Sequence, residues 1–203
     1  MQIFKYRSLK GRSEGTYKEK GSKFIALAEP CYSETEAKEL LLRWKKEHAQ
    51  ASHLCYAYRL GLTSISTRAN DDGEPNNSAG IPILGQIQSF DLNNVLVGVV
   101  RYYGGTKLGV GGLIIAYKSA AKIALEAAEI IEKEVCERFL LEFSYNEVPQ
   151  VMNLIKQRKL EFSNSDFSLE CKLWLDVPLE ISTNFKQEVK DMNNIQLTSL
   201  GIN

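Results

Sequence analysis

Apolar positions along this chain fall into short runs whose spacing predicts alternating strands and helices. Phe24-Ile25-Ala26-Leu27-Ala28 and the stretch His53 to Leu60 read as strands, the second ended by Gly61. Val95-Leu96-Val97-Gly98-Val99-Val100 is continuously apolar between polar flanks, the pattern of a strand covered on both faces. Ser33, with Glu36 three residues on, forms a capping box ahead of Ala37, Leu40, Leu41 and Trp44, an apolar stripe at helical spacing. Asn70 to Gly80 is dense in turn formers and reads as a loop. Gly104 to Gly112 reads as a glycine-rich loop feeding a helix over residues 113–131, where Ala and Leu dominate.

Past Glu134 the pattern restarts. It predicts a strand over 137–145, a helix over 147–158, strands over 160–165 and 167–177, a helix over 178–191 with Pro178 at its first position, and a strand over 195–200. That βαββαβ succession is the ferredoxin-like, split βαβ order. The expectation is an α+β chain of two domains, residues 1–134 and 135–203.

Composition narrows the function classes. The 203 residues are 44% hydrophobic and 25% charged, an ordinary folded composition, and no run approaches the roughly 20 apolar residues of a membrane helix. Lys plus Arg equals Asp plus Glu at 25 each, so bulk charge gives no drive toward nucleic acid. Residues 1–134 nevertheless carry 18 basic and 15 acidic side chains, and 135–203 carry 7 and 10, which puts any anion-binding tendency in the first half. Cys31, Cys55, Cys136 and Cys171 are far apart and read as reduced thiols; with no apolar signal core at the start, the expected location is cytoplasmic.

Three features could carry chemistry. Asp71-Asp72-Gly73-Glu74-Pro75 gathers three carboxylates in four residues, a crowding that needs a cation, a basic side chain or backbone donors. Turn formation, with the carboxylates accepting backbone N–H bonds, is the bland alternative. Arg101 to Gly112 follows a buried strand and opens a helix; Arg101, Gly104, Gly105, Thr106, Lys107, Gly109, Gly111 and Gly112 are the candidate anion-binding residues. It is neither a P-loop nor a dinucleotide fingerprint, since Lys107 follows Thr106 and the position three after Gly111 is Ile114. Tight turns and close helix packing would equally use these glycines. His53 is the candidate site histidine, and Ser52, Ser78 and Cys55 are the nucleophiles it could serve. Tyr56, Tyr58, Tyr102, Tyr103 and Tyr117 offer stacking faces.

Taken together, Ala51-Ser52-His53-Leu54-Cys55-Tyr56-Ala57-Tyr58-Arg59, the DDGEP motif, Ala79-Gly80-Ile81-Pro82-Ile83-Leu84 and Arg101-Tyr102-Tyr103-Gly104-Gly105-Thr106-Lys107-Leu108-Gly109-Val110-Gly111-Gly112 closely resemble the Impact/YigZ family over residues 20–200. Tyr103 stands where the family usually has Phe, and Asn76-Asn77 where small residues are common. The resemblance implies a first domain like the second domain of ribosomal protein S5, a second domain like the ferredoxin-like fifth domain of elongation factor G, and a regulatory role in translation. The leading expectation is a non-enzymatic module that contacts RNA, the ribosome or a translation-control protein, uses no cofactor, and takes phosphate on Lys18, Lys20, Lys23, Arg101 and Lys107. The competing reading is an enzyme for a phosphorylated small molecule, with phosphate on the glycine loop and Asp71, Asp72 and Glu74 holding a metal or acting as base.

Overall fold

The structure, a computed structural model, describes residues 4–168 and 170–202. Two compact units emerge: Tyr6–Lys133, and residues 134–202 with residues 4–5. The first contains β1 (Lys5–Leu9), β2 (Ser13–Glu19), β3 (Ser22–Pro30), α1 (Glu34–Glu47), β4 (His53–Leu60), β5 (Ser66–Asn70), α2 (Gly80–Ser89), β6 (Val95–Tyr102), α3 (Gly109–Glu126) and β7 (Ile130–Glu134). A five-stranded antiparallel sheet runs β2-β3-β6-β4-β5, and β1 pairs with β7 in a separate ladder.

Helices cover both faces of the five-stranded sheet. Leu96 and Val100 of central β6 pack with Leu27, Leu54, Leu40 and Trp44 on the α1 side, while Val95, Val97 and Val99 pack with Ile83, Ile87, Ala116, Tyr117 and Ala120 on the α2 and α3 side. This two-sided burial is why β6 reads as a continuous apolar run instead of an alternating one. Gly98 is needed where Trp44 packs against the strand: a Cβ there would come within 2.7 Å of the indole ring.

The second unit contains β8 (Cys136–Ser144), a 3₁₀ turn, α4 (Val148–Gln157), β9 (Phe162–Phe167), β10 (Glu170–Pro178), α5 (Leu179–Lys190) and β11 (Ile195–Ile202). Its antiparallel sheet has the order β11-β8-β10-β9. Phe139, Leu141, Phe143, Leu173, Leu175 and Val177 form its core with Val151, Leu154, Ile155, Phe185 and Val189. Alternate positions on the other face carry the opposed ion pairs Arg138–Asp176 and Lys172–Glu142, each 2.7 Å. Among the described residues, no helix is long and apolar enough to cross a membrane.

Several expectations are corrected. The helix predicted over 113–131 begins at Gly109 and ends at Glu126, so part of the expected glycine loop is its first turn, and residues 130–134 are β7. The polar stretch before Phe24 forms β1 and β2, and β5 and α2 form where the pattern predicts no element. Pro178 is extended and precedes α5 instead of opening it. Val135, between β7 and β8, is buried; its N–H donates to the Phe4 carbonyl and its carbonyl accepts from Leu179.

Candidate functional site

The acidic motif is first of all a turn. Asp72 and Gly73 both have positive φ (43° and 86°), and the Glu74 N–H donates to the Asp71 carbonyl at 2.9 Å, the signature of a type I′ turn and of its preference for Asp-Gly. The three carboxylates then diverge. Asp71 Oδ1 accepts from the N–H groups of Ala79 (3.0 Å) and Gly80 (2.8 Å), and its Oδ2 from that of Asn77 (2.8 Å). It thereby caps α2, whose own N-cap, Ala79, has no side chain to do so. Asp72 Oδ2 accepts from the Leu54 N–H at 2.7 Å, tying the turn to β4.

Glu74 turns inward. Its Oε1 meets Nη1 of Arg101 at 2.7 Å and accepts from the Tyr117 hydroxyl at 2.7 Å, with the Arg101 and Glu74 side chains only 7% and 5% exposed. The acidic motif and the strand ahead of the glycine segment therefore meet through this ion pair. Register explains how Arg101 arrives there. It lies opposite Phe24 on β3 and His53 on β4, so the three share one sheet face, toward α2 and α3. The guanidinium sits 5.5 Å from the Phe24 ring and 5.3 Å from the Tyr103 ring, and its Nε has no partner.

Tyr117 and Cys55 complete the buried network. Tyr117 packs edge-on against Phe24 at 5.1 Å, and burial pushes its phenol far above the ordinary range, so it stays a donor to Glu74. Burial also pushes the Cys55 thiol strongly up; its Sγ–H donates to the Asp71 carbonyl at 3.0 Å. A thiol held protonated in this way is no nucleophile for His53. His53 Nδ1 lies 2.8 Å from the Asp72 carbonyl, which only accepts, so Nδ1 carries the proton and Nε2 is the acceptor in the neutral ring.

These residues wall a cavity of about 500 Å³, lined by His53, Glu74, Pro75, Arg101, Tyr103, Lys107, Leu108, Gly109, Val110 and Leu113. The first turn of α3 opens on it: Leu108 at the N-cap supplies no side-chain hydrogen bond, and no acidic residue lies in that turn. Of the predicted anion-binding residues, Arg101, Lys107 and Gly109 line the cavity, whereas Gly104, Gly105, Thr106, Gly111 and Gly112 do not. Gly104 serves packing instead, since a Cβ there would overlap the backbone of Gly21; Gly105 and Gly109 have positive φ, at 84° and 72°. Among the described residues, no group of three or more His, Cys, Asp or Glu side chains is placed to hold a metal ion.

A basic edge adjoins this region. β2 and β3 are joined by Lys20 and Gly21, both at positive φ, in a tight hairpin whose Ser22 Oγ accepts from the Gly104 N–H at 3.1 Å. Lys18, Lys20 and Lys23 are exposed on the hairpin, Lys107 is exposed further along the glycine segment, and none of the four has an ion-pair partner among the described residues. Arg101, expected among the phosphate contacts at the surface, is buried and paired. Nothing in the sequence pattern marks Phe24, Leu108 and Val110 as part of the site, and it marks Tyr117 only as a stacking face. Tyr117 lies four residues after Leu113 on the apolar stripe of α3, where a buried hydroxyl demands a partner.

The Impact N-terminal domain family model matches residues 20–125, which hold the acidic turn, the glycine segment and the buried network. The chain is 31% identical over 188 residues to an IMPACT family member of Haemophilus influenzae, covering 90% of this chain and 91% of that protein. It is 30% identical over 185 residues to the IMPACT family member YigZ of Escherichia coli, again covering 90% and 91%. A solved structure described as a hypothetical protein superposes with a TM-score of 0.77 at 27% identity, over 98% of both chains. The match spans the motifs and both units in order, and this chain belongs to the IMPACT family.

Proposed function

We propose that this protein is a cytoplasmic, translation-associated binding module that docks on structured RNA or the ribosome through the β2–β3 hairpin and the neighbouring glycine segment. In this reading residues 1–134 form a domain like the second domain of ribosomal protein S5, and residues 135–203 a ferredoxin-like domain. The second assignment is supported by the βαββαβ order and the antiparallel β11-β8-β10-β9 sheet. Family membership supports the translation role.

The observation that carries the docking surface is the set of exposed, unpaired lysines, Lys18, Lys20, Lys23 and Lys107, on two segments joined by the Ser22–Gly104 hydrogen bond. Lysines without internal counterions are free to replace the cations condensed on a phosphate backbone, whereas Arg101 is already neutralised by Glu74. The carboxylates give less support to the enzymatic reading: Asp71 and Asp72 are engaged by backbone N–H groups and Glu74 by Arg101 and Tyr117.

The test is binding of the full chain to ribosomes and to structured RNA across a salt series. About four contacts give a slope of log K against log salt of roughly −3, and the Lys18→Ala, Lys20→Ala, Lys23→Ala triple variant brings it near −1. Absence of salt-sensitive binding at low ionic strength, or an unchanged slope in the triple variant, overturns the RNA reading and leaves a protein partner as the docking target.

A further inference from the structure

We propose that the cavity between His53, Arg101 and the first turn of α3 is a binding site for a small phosphate monoester. The proposal is independent of the hairpin lysines. α3 is 18 residues long, and its leading N–H groups, directed out of the helix end, have neither a side-chain cap nor an acid in the first turn. An uncapped helix end alone indicates no ligand; here a second group faces the same space. Arg101 lines the cavity and is 6% exposed, and it hydrogen-bonds Glu74 through Nη1 alone, which leaves other donors of its guanidinium without an acceptor. A buried guanidinium with donors left over is costly unless an acceptor joins it.

Charge and shape then define the ligand class. Glu74 cancels Arg101, so Lys107 and the positive helix end remain, a balance that calls for an oxyanion. His53 Nε2 can accept a hydrogen bond from an ester hydroxyl when neutral, or donate to a phosphate oxygen when protonated. The volume of about 500 Å³ lies within the range of small-molecule sites. Tyr103 and Val110, 50% and 51% exposed, supply an aromatic and an aliphatic wall against which the organic half of the ester would lie. A bare inorganic anion would leave that wall unused.

The experiment uses the full chain labelled with ¹⁵N and titrated with AMP, inorganic phosphate, adenosine, and a short oligonucleotide with or without a 5′-phosphate. AMP and phosphate are expected to shift the amide resonances of Gly109, Val110 and Gly111, with AMP binding at least about tenfold tighter than phosphate and adenosine binding negligibly. Lys107→Ala should weaken AMP by about tenfold, as loss of one charge-assisted contact does, with the melting temperature unchanged. Val110→Asp, at an exposed position, places a carboxylate in the first turn; it should keep or raise the melting temperature while abolishing AMP binding. The proposal is overturned if AMP binds no better than adenosine, if neither variant changes AMP affinity, or if only the 5′-phosphorylated oligonucleotide binds, which would make the cavity a strand-end site.

Discussion

Removing the Glu74 carboxylate should cost the first unit most of its stability. The Arg101–Glu74 pair is 2.7 Å long with both side chains under a tenth exposed, so each charge has given up its hydration for the other. Breaking such a pair from one side typically costs about 3–5 kcal/mol, because the remaining charge stays buried and uncompensated. Glu74→Ala also orphans the Tyr117 hydroxyl, a further loss of about 1–3 kcal/mol. Against a domain stability of about 5–15 kcal/mol, this brings the variant close to unfolding. From the sequence alone, Glu74→Ala is expected to preserve or increase phosphate binding, because it removes a repelling charge. Urea unfolding of the full chain checks the point. With Trp174→Phe as background, the buried Trp44 is the one remaining tryptophan and reports the first unit. Arg101→Met with Glu74→Leu removes both charges and leaves only the Tyr117 hydroxyl unpaired, so it should cost about 1–3 kcal/mol, well below the sum of the two single losses. A loss below about 1 kcal/mol for Glu74→Ala, or a double variant no better than the sum of the singles, would refute the reasoning.

Two other perturbations test the packing and the second unit. Gly98→Ala should destabilise the first unit by about 1–3 kcal/mol in the same urea assay, because the added methyl meets the Trp44 ring at 2.7 Å with no room to move aside. In the second unit, burial tends to raise the Glu137 carboxyl, but hydrogen bonds from Lys186, Ser199 and Ser182 outweigh it and hold its pKa below the usual 4.5. A depressed carboxyl stabilises above its unfolded pKa and loses that contribution as pH falls through the folded value. Thermal melts followed by Trp174 in a Trp44→Phe background should therefore decline below about pH 4.5, and Glu137→Gln should flatten that decline.

Local chemistry made much of this fold legible. α1 could be read because its cap is self-contained: Ser33 Oγ accepts from the Glu36 N–H at 3.1 Å, and Ala37, Leu40 and Trp44 follow at helical spacing. β6, and β8 and β10 of the second unit, could be read because one continuous run, and then regular alternation, record two-sided and one-sided burial. α2 could not, since its cap is the carboxylate of Asp71, nine residues before Gly80, and Gly80, Pro82 and Gly85 disguise its periodicity. β2 and β5 form the two edges of the first unit's sheet, where polar residues are tolerated and the alternation fades. The acidic motif divides in the same way. Asp72-Gly73 announces a turn by its own conformational preference, but three adjacent carboxylates go to a helix end, a strand amide and a buried arginine. Their destinations depend on partners brought close only by folding: Arg101 is 27 positions from Glu74, and Tyr117 is 43. Sequence spacing carries the local geometry of each residue, while the desolvation that makes Glu74 structural and leaves Arg101 Nε without a partner exists only once three strands and a helix close around them.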